Sequence, residues 1–236
     1  MNLKYLPIAG AIALSGPAFG ISVNMTDFSF ANPRPVVIVD ASGSDDVLAG
    51  RFDGTLTDSG ATVASTDVRR ASIERAVAST SFTAYCAEIE QSFAFGTTYD
   101  YSWTGGLGYF GATQYNALSR LFTATAGLVT SSDTSAAVQA AIWEIIYETS
   151  GTYDLDGNAF KVMPAAGAPA GTFAAFATVN GILQNLSTYG ALYSIEVLTN
   201  GIAQDFLVAT PVPEPATWAL LAAGLGVVGL LARRRR

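Results

Sequence analysis

The chain has 236 residues, a formal net charge of −7, no histidine and a single cysteine, Cys86. The missing histidine excludes His-based zinc sites and any Ser-His or Cys-His catalytic pair. The lone cysteine excludes an intramolecular disulfide, and an acidic chain with no basic stripe in its central part is not built to hold nucleic acid.

The N-terminus reads as a secretory signal peptide. Lys4 precedes an apolar stretch from Leu6 to Leu14, and Ala18-Phe19-Gly20 puts small residues at the two positions a signal peptidase reads. Residues 1–20 are therefore set aside as a processing segment, and the globular part is expected over 21–209. That length suits one domain with a real core, or two closely packed subdomains.

Along the globular part, Pro35 to Asp40 and Arg51 to Leu56 read as strands, separated by the turn-rich Ala41 to Asp46. Thr80 to Ile89 is a further strand. Its alternation places Phe82, Ala84 and Cys86 on one face and Tyr85, Ala87 and Ile89 on the other. Tyr99, Tyr101, Trp103 and Tyr109, set among glycines from Gly105 to Gly111, read as an aromatic hairpin, with stacking on sugars as the alternative. Thr113 to Leu128 has helical spacing, with Tyr115, Leu118, Leu121 and Phe122 on one side.

A second helix is expected from Ala136 to Thr149. Ser132-Asp133-Thr134-Ser135 supplies N-cap candidates and Gly151 marks the far end. Asp154-Leu155-Asp156-Gly157-Asn158 has part of a calcium loop but lacks its full ligand spacing and distal glutamate, so it reads as a turn, and no metal or other cofactor is expected. Pro164 to Gly171 reads as a loop and Gly171 to Tyr189 as a third helix. Asn200-Gly201, between two apolar-alternating runs, signals a closing β-hairpin. These elements predict an α+β fold: a β-rich, sandwich- or barrel-like part with an inserted helical part and a closing hairpin, followed by one C-terminal transmembrane helix.

That last segment, residues 210–236, has three parts. Pro211, Pro213 and Pro215 force the Val212-Pro213-Glu214-Pro215 stretch to be extended. An apolar run from Ala216 to Ala232 is about long enough for a bilayer core that needs ~17–25 helical residues. Arg233, Arg234, Arg235 and Arg236 then hold the far end in the cytoplasm. Together they resemble the PEP-CTERM sorting signal of Gram-negative bacteria. The resemblance implies a partner, the membrane protease exosortase, and membrane anchoring before processing. It also implies release to the cell surface or an exopolysaccharide matrix.

Two residues of the globular part carry the chemistry. On the helix from Ala136, Gln139 shares a stripe with Ala136, Ile142, Trp143 and Ile146, which places a polar amide on an apolar face. Cys86 is an unpaired thiol on the apolar face of a strand. Attack of the thiolate on the Gln139 side-chain carbonyl, with loss of ammonia, would join them as an internal thioester. Without that bond, each is an ordinary buried group: a cysteine packed as a small apolar side chain and an amide bonded to nearby backbone.

The surrounding residues resemble the bacterial thioester domains found at the adhesin tips of surface proteins. Tyr85-Cys86-Ala87-Glu88 is similar to their Tyr-Cys-hydrophobic-acid motif, and Gln139-Ala140-Ala141-Ile142-Trp143 to their Gln-x-Ala-Ile-Trp motif. Tyr115 to Phe122 falls where those domains have a helix between the motifs, and the resemblance spans Ala71 to Thr210. Val138 stands where the family often has threonine, and Ala87 is smaller than its usual branched residue. The resemblance implies covalent capture of an amine-bearing ligand rather than enzymatic turnover. Tyr85 and Trp143 would shield or frame the bond, or simply pack the core. Glu88 or Glu144 would accept the amine proton, or remain solvated surface carboxylates. The competing expectation is a structural matrix or envelope protein of the same sorting class, with Cys86 and Gln139 unlinked.

Overall fold

The computed structural model describes residues 20–58 and 81–212. Residues 1–19, where a signal peptide is expected, and 213–236, where a transmembrane helix is expected, lie outside the described residues. Among those described, no helix is long and apolar enough to cross a membrane.

The first half is strand-rich: β1 (Gly20–Phe28), β2 (Arg34–Asp40), β3 (Gly43–Ala49), β4 (Phe52–Asp58), β5 (Ser81–Cys86) and β6 (Thr98–Gly105). Helices α1 (Gly106–Phe110), α2 (Ala112–Thr125) and α3 (Ser132–Tyr147) follow, then β7 (Lys161–Pro164) and α4 (Ala170–Leu183). A 3-10 turn at Leu186–Thr188 leads to β8 (Tyr193–Thr199) and β9 (Phe206–Pro211).

Six antiparallel strands in the order β1-β4-β5-β9-β8-β6 close into a barrel, and β3-β2-β7 form a separate small sheet. Closure leaves the barrel no exposed edge. The rings of Phe52 on β4, Tyr101 on β6 and Phe206 on β9 meet across the lumen, at 5.7 Å for Phe52–Phe206 and 5.9 Å for Tyr101–Phe206. These strands are not all neighbours in the barrel, so the shared ring cluster marks the inward face. Ile195, Val197 and Leu207 point the other way and are buried where helices cover the wall.

The expected α+β class with a barrel-like part and inserted helices agrees with this architecture. Several local expectations change. Ala41 to Asp46 is not all turn: Asp40 Oδ1 accepts from the Ser42 and Gly43 amides, closing a tight hairpin, and β3 starts at Gly43. The aromatic hairpin is instead strand β6 followed by the short helix α1. The third helix ends at Leu183, ahead of the 3-10 turn.

The closing hairpin forms, but not around a two-residue Asn-Gly turn. Its register pairs Leu198 with Phe206. Asn200 uses its side chain to fold a longer loop, with Oδ1 accepting from Ile202 N at 2.8 Å and Ala203 N at 2.9 Å. A local Asx turn has won over the hairpin signal.

Helix α3 starts earlier than expected, because Ser131 rather than a residue of Ser132–Ser135 is its N-cap. Ser131 Oγ accepts from Thr134 N, and Thr134 Oγ1 accepts from Ser131 N, a reciprocal capping box. Asp133 in the first turn meets Arg34 at 2.6 Å, and that hydrogen bond holds its carboxyl below the usual range. The single buried stripe expected for α3 is also too narrow. Every residue from Ser135 to Ile146 is buried, because the helix packs against α2, α4 and the small sheet as well as the barrel.

Close approach of α1 to the barrel depends on Gly106. A β-carbon there would lie 2.5 Å from the Ile195 carbonyl oxygen, whereas one at Gly108 meets nothing within 4 Å. Gly106→Ala is expected to destabilise the fold by about 1–3 kcal/mol. Gly108→Ala should be neutral or slightly stabilising. Denaturant unfolding of both variants checks the pair.

Candidate functional site around Cys86 and Gln139

Strand β5 carries Cys86 at its last position. Cys86 lies opposite Phe206, and Ala84 opposite Phe52, so Ala84 and Cys86 share the inward face. Tyr85 points outward against the ring of Phe122 on α2, at 5.7 Å.

The geometry at Cys86 follows from how β4 and β5 part. Ala87 N donates to Asp205 O at 2.9 Å, so the Cys86 amide and carbonyl face away from β9, toward β4. Continuing the β4–β5 register would put Gly50 opposite Cys86, but β4 begins only at Phe52. Helix α3 occupies the fork. Ser135 Oγ accepts from Arg51 N at 2.6 Å. One turn later, Gln139 Oε1 accepts from Cys86 N at 2.8 Å and Gln139 Nε2 donates to Cys86 O at 3.0 Å. A side-chain amide thus fills the ladder position that the neighbouring strand leaves empty. Residues i and i+4 of one helix seal both arms of the fork.

Cys86 and Gln139 are therefore in direct contact, and both are shut away from water, with 3% and 0% of their surfaces exposed. The contact also satisfies the buried amide by hydrogen bonding alone, with no covalent bond required. Burial pushes the Cys86 thiol well above its usual value and the nearby Glu88 charge adds to the shift, while a hydrogen bond from the Gln204 side chain opposes it.

The chain after Cys86 forms a cover. Ile89 N donates to Tyr147 Oη at 3.2 Å, and Gln204 Nε2 to Glu88 O at 2.8 Å. Phe93 packs edge-on against Phe52 and Phe206, with ring centroids at 5.4 and 5.0 Å.

The supporting residues divide. Glu88 is half-buried beside the site, and its Oε1 accepts from Asp205 N at 2.9 Å. Burial pushes its carboxyl up to about 7. Glu144 is no surface carboxylate: it is fully buried, and its Oε1 accepts from Asp154 N and Asn158 Nδ2 in the turn beyond α3. Burial pushes it, too, up to about 7. Trp143 is buried one turn after Gln139, and its indole N–H has no partner among the described residues. Tyr85 sits on the face of β5 opposite the thiol. Val212 is exposed, and its amide donates to Leu192 O at 2.8 Å. Pro213, Glu214, Pro215 and Arg233 to Arg236 lie outside the described residues.

Sequence reasoning missed Ser135, Gln204 and Asp205. In the sequence Ser135 reads only as a cap candidate. Gln204 and Asp205 follow a loop that the Asn200-Gly201 pair signals as a tight turn, so no local pattern places them near β5.

Two outcomes follow. Gln139→Ala should cost about 2–5 kcal/mol in urea unfolding, because it strands a buried N–H and a buried C=O at Cys86, each worth ~1–3 kcal/mol when unmade. Glu88 and Glu144 both hold their protons more tightly when folded, near 7, than at the ordinary value of 4.5. The stability they contribute is full below about 4.5 and is lost as pH rises through about 7. Urea midpoints should accordingly fall across that window, and less steeply for Glu144→Gln.

Residues 211–236 match the PEP-CTERM protein-sorting motif. No curated protein and no solved structure matches the chain. The motif marks this chain as an exported protein, held in the membrane before it is processed by exosortase.

Proposed function

We propose that the exported domain carries an internal thioester between Cys86 Sγ and Gln139 Cδ, and that it captures amine-bearing ligands covalently at the cell surface or in the extracellular matrix. The observation that carries this reading is the paired contact of the Gln139 amide with the main chain of the sole cysteine, sealed from water. The two motifs that resemble thioester domains are thereby brought to one point.

The chemistry balances in two steps. In the first, the Cys86 sulfur attacks Gln139 Cδ, the Cδ–Nε2 bond breaks, and the thiol proton leaves with ammonia. In the second, a ligand amine attacks Cδ, the Cδ–S bond breaks with its electron pair on sulfur, and an amine proton ends on the thiol. The product is an amide between ligand and protein. The acyl group is consumed, so this is capture and not turnover. Exclusion of water keeps the activated acyl group from hydrolysis. Glu88, with its carboxyl raised to about 7, is the nearby acid–base group suited to take the amine proton.

A second reading is favoured by the completeness of the hydrogen bonding. Gln139 bonds to both main-chain groups of Cys86, which serves equally to lock α3 into the barrel of a structural matrix or envelope protein. Mass spectrometry of the protein purified without amine buffers separates the two. The thioester reading expects a deficit of about 17 Da, one ammonia, that is abolished by Cys86→Ala and by Gln139→Ala. An undiminished mass with a titratable thiol would leave the structural reading.

A further inference from the structure

We infer that the end of β9 is a latch on removal of the C-terminal segment: the sorting protease takes the chain only after Pro211 and Val212 have left their pairing with β8. The latch holds with or without a thioester at Cys86.

The sorting motif and the barrel overlap. The motif begins at Pro211, and Pro211 is also the last residue of β9, where it lies opposite Tyr193 of β8. Val212 carries the pairing one residue further, its amide donating to Leu192 O at 2.8 Å. The next residue is Pro213, the first of the Pro-Glu-Pro triplet. A proline fits the end of this ladder for a definite reason. Tyr193 turns its main-chain groups away from Pro211: Tyr193 N donates to Ser119 Oγ at 3.1 Å, and Ser119 Oγ donates to Tyr193 O at 2.6 Å. Position 211 therefore needs no N–H, and proline has none to give.

The two strands are held unequally here. The start of β8 is fixed to α2 by the two bonds to Ser119, by Leu192 N donating to Thr123 Oγ1 at 3.1 Å, and by the Tyr193 ring against Phe122. The end of β9 has β8 alone. Its other neighbour, β5, pairs with Phe206 and Leu207, and the stagger of the barrel leaves Val208 to Pro211 overhanging, with no second partner strand among the described residues. The last pair is also incomplete. Leu192 N is committed to Thr123, so Leu192 and Val212 share one hydrogen bond where a full antiparallel pair has two. Neither side chain is well packed: Leu192 is 56% exposed and Val212 49%. Opening is therefore confined to the tip of β9 and leaves β8 and α2 in place.

A protein that binds a peptide in extended form bonds to the peptide's main chain. Main-chain groups already paired in a sheet are closed to it, and folded chains are cut where they open locally. In this chain the residues just ahead of the triplet are the ones paired in the sheet. Processing is thus slow on the folded barrel, at a pace set by how often the tip frays, and fast on a chain whose barrel has not closed. Folding and sorting are coupled through two residues.

The test follows the full chain by pulse-chase, in cells that carry its exosortase, as the precursor loses its C-terminal segment. A Gly/Ser linker inserted between Val212 and Pro213 leaves the ladder intact and moves the triplet clear of it. Conversion should quicken about tenfold, as expected if the tip is open about one-tenth of the time. Tyr193→Cys combined with Pro211→Cys does the reverse. The two residues face each other at a non-hydrogen-bonded position, where side chains lie close. A disulfide across them, verified by thiol titration, should stop conversion until a reductant is added, with each single variant as its reference. An unchanged rate in the linker variant overturns the inference. A slower one does so too, because Pro211 and Val212 would then be part of what the protease grips. Mere crowding by the barrel would quicken the linker variant but leave the oxidised pair no slower than its references, which also overturns the latch. The insertion lies beyond the ladder, so the linker arm stands even where the disulfide variant misfolds.

Discussion

The whole arrangement hangs on a fork in the barrel wall. Where β4 and β5 diverge, two main-chain groups of Cys86 would be left in a dry interior, a loss the fold cannot carry without a partner. Gln139 provides that partner, and Ser135 does the same for Arg51 on the other arm. A helix side chain behaves here as a piece of strand. The position of α3, and with it the small sheet and α4 packed on its far sides, is set by this substitution.

The same substitution sets the Gln139 side-chain amide against the main chain of Cys86. An amide that satisfies a peptide unit from the side must lie against the residue that owns it, and in this chain that residue is the cysteine. On the thioester proposal, structure and reactivity share these residues. The hydrogen-bonded arrangement satisfies both the Gln139 amide and the Cys86 main chain, and on the thioester proposal it is the state that precedes the bond. The surrounding charge leans against ionisation. Burial and Glu88 both favour the neutral thiol, with Gln204 acting in the opposite sense.

Much of this was legible in the chain. The alternation around Cys86 put it on one face with Ala84, and the apolar spacing around Gln139 marked a buried amide, both from local periodicity; that the Cys86 face points into the barrel comes from strand pairing. The two motifs could be related to each other only by resemblance, since nothing local tells which strand a helix will meet. The α+β order was readable for the same reason, whereas closure into a barrel depends on β1, β6 and β8 pairing across long separations. Misreadings came from competition among short-range signals. Asn200-Gly201 looked like a hairpin turn, but the Asn200 side chain could also fold a wider loop, and that choice decided where Gln204 would sit. Ser131 lay one residue outside the candidate caps because its partner, Thr134, is not the usual acid or amide. The burial of Glu144 was invisible, since its hydrogen-bonding partners come from a turn beyond the helix.

Strand β9 runs to Pro211, and Val212 is still tied by its amide to Leu192. The Pro213-Glu214-Pro215 triplet follows at once, and a single residue spans at most ~3.3–3.6 Å. The sorting motif, which begins at Pro211, therefore starts while the chain is still paired into the barrel. After a cut there, little or no stalk would be left, and the end of a strand would become the end of the molecule.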